Sequence, residues 1–327
     1  MNRMEHLFSA QQLVRTELQE TEHILEQIRA EFDGPMKSLG DHVLTSQGKR
    51  LRPTILLLSS KLDGRGGVEH APLVAAVVEL IHTATLIHDD SIDEAEIRRG
   101  KVSVHVQWNH HVATMLGDVL YLRAFQMLMD NEETDIAHLM TRASHIMARG
   151  ELVEYLYKDQ LITENAYLDL IWSKTAAFMG ACCHAGMLLG TLDSKYQEAA
   201  KKYGEKVGMA FQIVDDILDY TSSKDMLGKE VLADLREGKV TLPMIAALRT
   251  SQRNGNHLQN QIDGLRRGET DGRDISRFVQ EYGGVEYASK LAIRLSQEAK
   301  SYLSDLPISD FRRSLAEVAD YIVYRER

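Results

Sequence analysis

Apolar residues recur at helical spacing along almost the whole chain, the pattern of helices that each bury one stripe. It predicts an amphipathic helix over 8–31, closed by "DGP" at 33–35, and another to about residue 46. More uniformly apolar helices are predicted over 53–62 and 71–90, parted by the loop "DGRGG" at 63–67. Further helices are predicted over 103–130, 134–158, 163–191, 195–220, 239–252, 274–304 and 309–325. The polar, glycine-rich stretch 253–274 reads as a mobile connection around one short helix. No run of alternating β-branched residues predicts a sheet. The expectation is one all-α domain over 1–327, a large helical bundle.

At two places an apolar helix runs straight into carboxylates. "LIHTATLI" leads to Asp89, Asp90 and Asp93, and "VGMAFQIV" leads to Asp215, Asp216 and Asp219. Each is an Asp-Asp-x-x-Asp, which puts the first and last carboxylates on one helix face about a turn apart. Like charges at that spacing repel, so a counter-charge is expected. Carboxylates are hard ligands suited to Mg²⁺, which prefers one or two of them plus substrate phosphates. A solvated helix end would explain one cluster; two, each behind an apolar helix, point to several Mg²⁺ ions around a diphosphate. Neither cluster has the glycine and distal glutamate of an EF-hand calcium loop.

Composition narrows the partners. A net charge of −10 and a pI near 5.7 argue against nucleic acid. Cys182 and Cys183 are adjacent, a poor disulfide or zinc pair, and read as small buried residues. The opening "MNRMEHLFSAQQLVRTELQE" lacks the apolar core of a signal peptide. The most apolar stretch, 176–192, is interrupted by His184 and short for a membrane span. A soluble, cytoplasmic protein is expected. Basic groups gather near the acidic ones: Lys49, Arg50 and Arg52 in "GKRLRP", Arg98 and Arg99 in "RRGK", Lys174 beside Thr175 in "SKTA", then Lys229 and Lys239. Arg suits bidentate phosphate recognition and Lys point-charge neutralisation.

The ordered set "GKRLRP", "IHTATLIHDDSIDEAEIRRG", "LGD" (116–118), "SKTA", "FQIVDDILDYT" and "LGKEVLADLREGKVTLP" resembles the all-trans polyprenyl diphosphate synthases of the isoprenoid synthase superfamily. The similarity runs from about Gly48 to the ending "ADYIVYRER". It implies a helical bundle around a deep central cavity, usually in a homodimer, that condenses an allylic prenyl diphosphate head-to-tail with isopentenyl diphosphate. It assigns Mg²⁺ to Asp89, Asp93 and Asp215, with Asp90, Asp216 and Asp219 in support. It gives Arg98, Lys174, Thr175, Gln212, Lys229 and Lys239 to the allylic substrate, and Lys49, Arg52, His82 and Arg99 to isopentenyl diphosphate. His82 lies two turns before Asp89 on the same face, although a lone histidine on an apolar helix is often only a core group.

In such enzymes bulky side chains four and five positions before the first aspartate stop growth early. Here those positions are Thr85 and Ala84, with Ile81 a turn further back. All are non-aromatic, and burying each methylene gains about 0.8 kcal/mol, so the expected product is about C30–C50; a farnesyl- or geranylgeranyl-length product is the alternative. Release of such a product implies transient membrane contact. The chain departs from the family at Glu154, where glutamine is common, at Ala233 before Asp234, and at the histidines of "VQWNHHV". A terpene cyclase-like enzyme would need no "GKRLRP" site and typically carries one mixed motif in place of an aspartate cluster. A regulatory subunit would be expected to lose carboxylates, yet all six are present.

Overall fold

The computed structural model describes residues 3–45, 48–62, 68–190, 193–221, 232–251, 256–270 and 272–324. The fold is all-α, as the periodicity predicts. Its helices begin with α1 Arg3–Leu13, α2 Arg15–Glu31, α3 Lys37–Leu44, α4 Leu51–Ser60 and α5 Ala71–Ile92. A hairpin of β1 Ile97–Arg98 and β2 Lys101–Val102 follows, then α6 Val104–Gln107, α7 His110–Asp130, α8 Thr134–Tyr157, α9 Glu164–Ile171, α10 Ala177–Gly190 and α11 Ser194–Thr221. Later helices are Ala233–Arg236, Leu242–Ser251, Asn256–Arg266, Arg273–Glu281, Gly284–Leu303 and Asp310–Tyr324.

Several boundaries differ from the periodic reading, each for a local reason. The helix expected from residue 8 starts at Arg3 and is interrupted at Val14. Asn109 divides the helix expected over 103–130: its side chain accepts from the Val112 amide at 2.9 Å and restarts the chain as α7. Gly283, at φ +71°, ends Arg273–Glu281 and breaks the helix expected over 274–304. The run expected over 163–191 is helical from Glu164 to Gly190 but widens into a π turn at Trp172–Ala176. Within 253–274 the short helix is Asn256–Arg266.

The chain forms two compact units. Unit one comprises Met1–Ser144, Ala181–Lys201 and Tyr302–Val318. Its centre is α5, packed on α2, α4 and α7. Val74, Ala75, Ala76, Val77, Val78, Leu80 and Ile81 are all inaccessible to solvent, so α5 is enclosed nearly all round. In α4 Ile55, Leu56, Leu57 and Leu58 are equally buried, each such side chain worth about 1.5–3 kcal/mol. Gly186 and Gly190 let α10 touch α4: a Cβ on either would stand 2.2–2.3 Å from the carbonyl oxygen of Leu56 or Ser60. By length and composition alone α5 and α7 could cross a membrane, rather than 176–192, but 67% of the apolar window of α5 is buried in the fold. One stripe of α7, Met115, Val119, Leu122 and Met129, is exposed at coiled-coil spacing.

Unit two comprises His145–Gly180, Lys202–Ser301 and Ala319–Arg327. One of its cores gathers Tyr220, Leu232, Leu235, Met244, Ala247, Ile262, Leu265, Ile275 and Val279.

Candidate active site

In unit one the last turn of α5 carries Asp89 and Asp90, and Asp93 closes it, its amide donating to the Asp89 carbonyl at 2.8 Å. A helix C-terminus is the negative end of the helix dipole, so three carboxylates there sit in an unfavourable field that only added cations relieve. One cation is built in. Arg98 Nε donates to Asp90 Oδ1 at 2.7 Å and Nη2 reaches the same oxygen. Arg98 is aimed by the hairpin, whose two-residue loop, Arg99-Gly100, has φ of +51° and +75°, the pattern of a type I′ turn.

A second basic group forms beside it. Arg52 Nη1 donates to His82 Nε2 at 3.2 Å. Burial and the guanidinium charges of Arg52, Arg99, Arg98 and Arg50 hold His82 well below the usual histidine range. It is therefore a neutral acceptor, and its other ring nitrogen carries the proton. Arg50 adopts a left-handed conformation at the start of α4, φ +50°. It grips Glu22 at 2.6 and 3.0 Å and the buried Glu79 at 2.5 Å. Lys49 is exposed, and its carbonyl accepts from Gln11 at 2.9 Å. Ala84 and Ile81 are inaccessible to solvent. Thr85 Oγ1 donates to the Ile81 carbonyl and lies 2.9 Å from the Tyr121 hydroxyl of α7. Tyr121 stacks between His88 and Phe125.

In unit two α11 carries Gln212, Asp215, Asp216 and Asp219. Asp216 is buried and accepts from the Tyr167 hydroxyl at 2.6 Å and from Gln212 Nε2 at 2.9 Å. Thr175 donates to Gln212 Oε1 at 3.0 Å, so four groups from α9, the π turn and α11 form one polar chain. Burial raises the Asp216 carboxyl to about 7; its two donors pull it down, and Asp215 and Asp219 push it further up. Asp219 accepts from the Ala233 and Asp234 amides at 3.0 and 3.2 Å. Loss of solvent around its carboxyl, then Asp219 and Asp216, raise the half-buried Asp234 well above the carboxylate range.

Lys174 stands in the π turn, beside Thr175. Gly150 of α8 lets the helices approach there, because a Cβ would lie 2.9 Å from that of Ser173. Glu151 is thereby 2.9 Å from Lys174, which is also ion-paired to Glu154. Lys239 reaches Glu237 at 2.8 Å and Glu154 at 3.6 Å. Glu154, Tyr167, Lys174, Gln212, Asp216 and Lys239 line one cleft.

Most of the predicted residues are thus brought together within each unit. Lys229 lies outside the described residues. Tyr167, Glu79, Glu151 and Asp234 were not predicted; Tyr167 and Glu79 are buried, and only an acid or phenol in an apolar run signalled those two. Among the described residues no three His, Cys, Asp or Glu side chains converge as a cage for a metal ion. The donors are all carboxylate oxygens, which fits a hard divalent cation that takes one or two carboxylates and completes its shell with water and phosphate.

A sequence model of the family described as "Polyprenyl synthetase" matches residues 34–281. The short chain isoprenyl diphosphate synthase of Methanothermobacter thermautotrophicus is 36% identical over 295 residues, 88% of this chain and 89% of that protein. The octaprenyl diphosphate synthase of Escherichia coli is 33% identical over 93% of this chain and 94% of its own. The crystal structure of a polyprenyl synthase from Caulobacter crescentus, complexed with calcium and isoprenyl diphosphate, superposes with a TM-score of 0.90 at 31% identity, covering 98% of both chains.

Proposed function

The chain belongs to the polyprenyl synthetase family and is a trans-prenyl diphosphate synthase, and from that premise we propose that it extends an allylic diphosphate with successive isopentenyl diphosphates to a product of about C30–C50, the length that stepwise burial of methylenes favours. The observation that carries the reading is that each aspartate cluster has its own phosphate-competent neighbours: Arg98 on Asp90 in one unit, and Lys174, Thr175 and Gln212 near Asp216 in the other.

Asp89, Asp93 and Asp215 would hold Mg²⁺, several ions per site, which supplies charge neutralisation for a departing diphosphate. The calcium bound by the Caulobacter synthase supports a divalent metal. Arg98, Lys174, Lys229 and Lys239 supply fixed positive charge where the leaving group gains negative charge. Lys49, Arg52 and Arg99 orient isopentenyl diphosphate, and neutral His82 fixes the Arg52 guanidinium. The apolar face of α5 keeps water from the allylic cation. The proton lost after coupling goes to the released pyrophosphate; among the described residues no side chain stands out as its base.

The small side chain of half-buried Thr85 supports room for a longer tail, whereas Ala84 and Ile81 are packed out of reach of solvent. The Tyr121 hydroxyl against Thr85 favours the second reading, a shorter product, as does the name of the Methanothermobacter relative. We read residues 1–327 as one catalytic domain that works in the cytoplasm as a homodimer, supported by the exposed stripe of α7, and that touches a membrane only to release its product. The test is incubation with Mg²⁺, farnesyl diphosphate and isopentenyl diphosphate, followed by dephosphorylation and chromatography. Alcohols of about C30–C50 that require both substrates are expected. A C15 or C20 end-product selects the shorter reading, and product from the allylic substrate alone refutes elongation.

A further inference from the structure

Glu154 stands where two ammonium groups need an anion. Its carboxylate is ion-paired with Lys174 and lies 3.6 Å from Lys239. Glu151, on the same face of α8, is 2.9 Å from Lys174, and Glu237 is 2.8 Å from Lys239. These side chains are largely buried, none more than 28% exposed. Among the described residues two lysines therefore meet three carboxylates in partial shelter from solvent, where charge interactions are screened less than at a surface. Of the three acids only Glu154 reaches both lysines, and it lines the cleft together with Gln212 and Asp216. A diphosphate entering that cleft must take Lys174 and Lys239 from Glu154 and then lie beside its charge.

We infer that Glu154 is a competing anion built into the allylic diphosphate pocket, which makes the pocket refuse bare pyrophosphate and accept a diphosphate whose charge a divalent cation has already offset. The inference rests on the functional reading above, in which Lys174 and Lys239 bind the allylic diphosphate. It has a consequence for turnover: pyrophosphate released in each cycle is held only while it carries metal, so the pocket clears itself for the elongated product to re-enter.

The test is calorimetric titration of inorganic pyrophosphate into the full chain, once in EDTA and once in Mg²⁺. Glu154→Gln keeps the shape of the side chain and removes its charge. In EDTA this variant is expected to bind pyrophosphate about ten- to a hundredfold more tightly than wild type, the scale of charged hydrogen bonds returned to the ligand. The gain from adding Mg²⁺ is expected to shrink by a similar factor, which a merely structural role would not produce. Should Glu154→Gln fail to fold, Glu154→Asp draws the carboxylate back from Lys239 and is expected to tighten pyrophosphate in EDTA by a smaller factor. Unchanged or weaker metal-free binding in a folded variant, with an active wild type, overturns the role of Glu154. The titration needs no turnover, so a wild type that makes no polyprenyl product overturns the functional reading separately, and the pocket assignment with it.

Discussion

Replacing Tyr167 with phenylalanine deletes one hydroxyl and tests the buried chain that ends on Asp216. The hydroxyl donates to Asp216 Oδ2 at 2.6 Å, and both residues are buried. Burial keeps Tyr167 protonated, well above the usual phenol range, so it still donates at pH 9. Asp216 ionises near 3.8 when unfolded and at about 7 when folded. Because the folded state holds the proton longer, this group's contribution to the stability of the metal-free protein falls as pH rises from about 4 through 7. At pH 9 the lost bond is charge-assisted, worth about 1.5–3 kcal/mol, whereas at pH 6 it joins neutral partners and is worth about 0.5–1.5 kcal/mol. Tyr167→Phe should therefore destabilise the metal-free protein by about 1–1.5 kcal/mol more at pH 9 than at pH 6. Urea denaturation of both proteins in EDTA at the two pH values, followed by circular dichroism, measures this directly. An equal loss at both pH values, or a larger one at pH 6, refutes the argument that Tyr167 stabilises the ionised form.

Asp89→Ala and Asp215→Ala should each cut turnover by orders of magnitude with unchanged helical circular dichroism; near-normal activity in either, or wild-type activity in EDTA, would exclude the metal role. Arg52→Ala should raise the KM for isopentenyl diphosphate about tenfold to a hundredfold, the worth of a charged contact, and leave the allylic KM nearly unchanged; steady-state kinetics varying each substrate decides it. Thr85→Phe should shorten the product towards C15–C20 by putting bulk at the half-buried position beside Tyr121, and Tyr121→Ala should lengthen it. If chromatography shows no shift in either, the tunnel floor lies elsewhere.

Much of the bundle was legible because burial imposes a period on the sequence, and long helices repeat it often enough to be read. The two aspartate clusters were legible because repelling charges behind an apolar helix have few structural explanations. What escaped depends on backbone choices that periodicity does not encode. The capping side chain of Asn109 and the left-handed Gly283 each break a run that still looks periodic. The hairpin is two residues per strand, too short to show alternation. Tyr167 looked like one more apolar position of an amphipathic helix, because its hydroxyl acquires a partner only when α9 meets α11. Glu79 likewise sits among alanines and valines, and its reason, the Arg50 guanidinium, comes from α4.

The wide turn at Trp172–Ala176 invites a historical reading as well as a geometric one. A π turn carries one residue more than an α-helix needs for the same hydrogen-bonded path, which is what a single-codon insertion into an older, regular helix would leave behind. Removing one residue there would join α9 to α10 as an unbroken rod and swing the side chains around the join by about 100°. The apolar stripes on either side could survive such a deletion, but Lys174 and Thr175 could not keep their directions. The core is thus expected to tolerate a length change at this point, and the proposed hold of Lys174 and Thr175 on the diphosphate is not. A descendant that lost the residue would be expected to keep a folded bundle while its grip on the anion was gone.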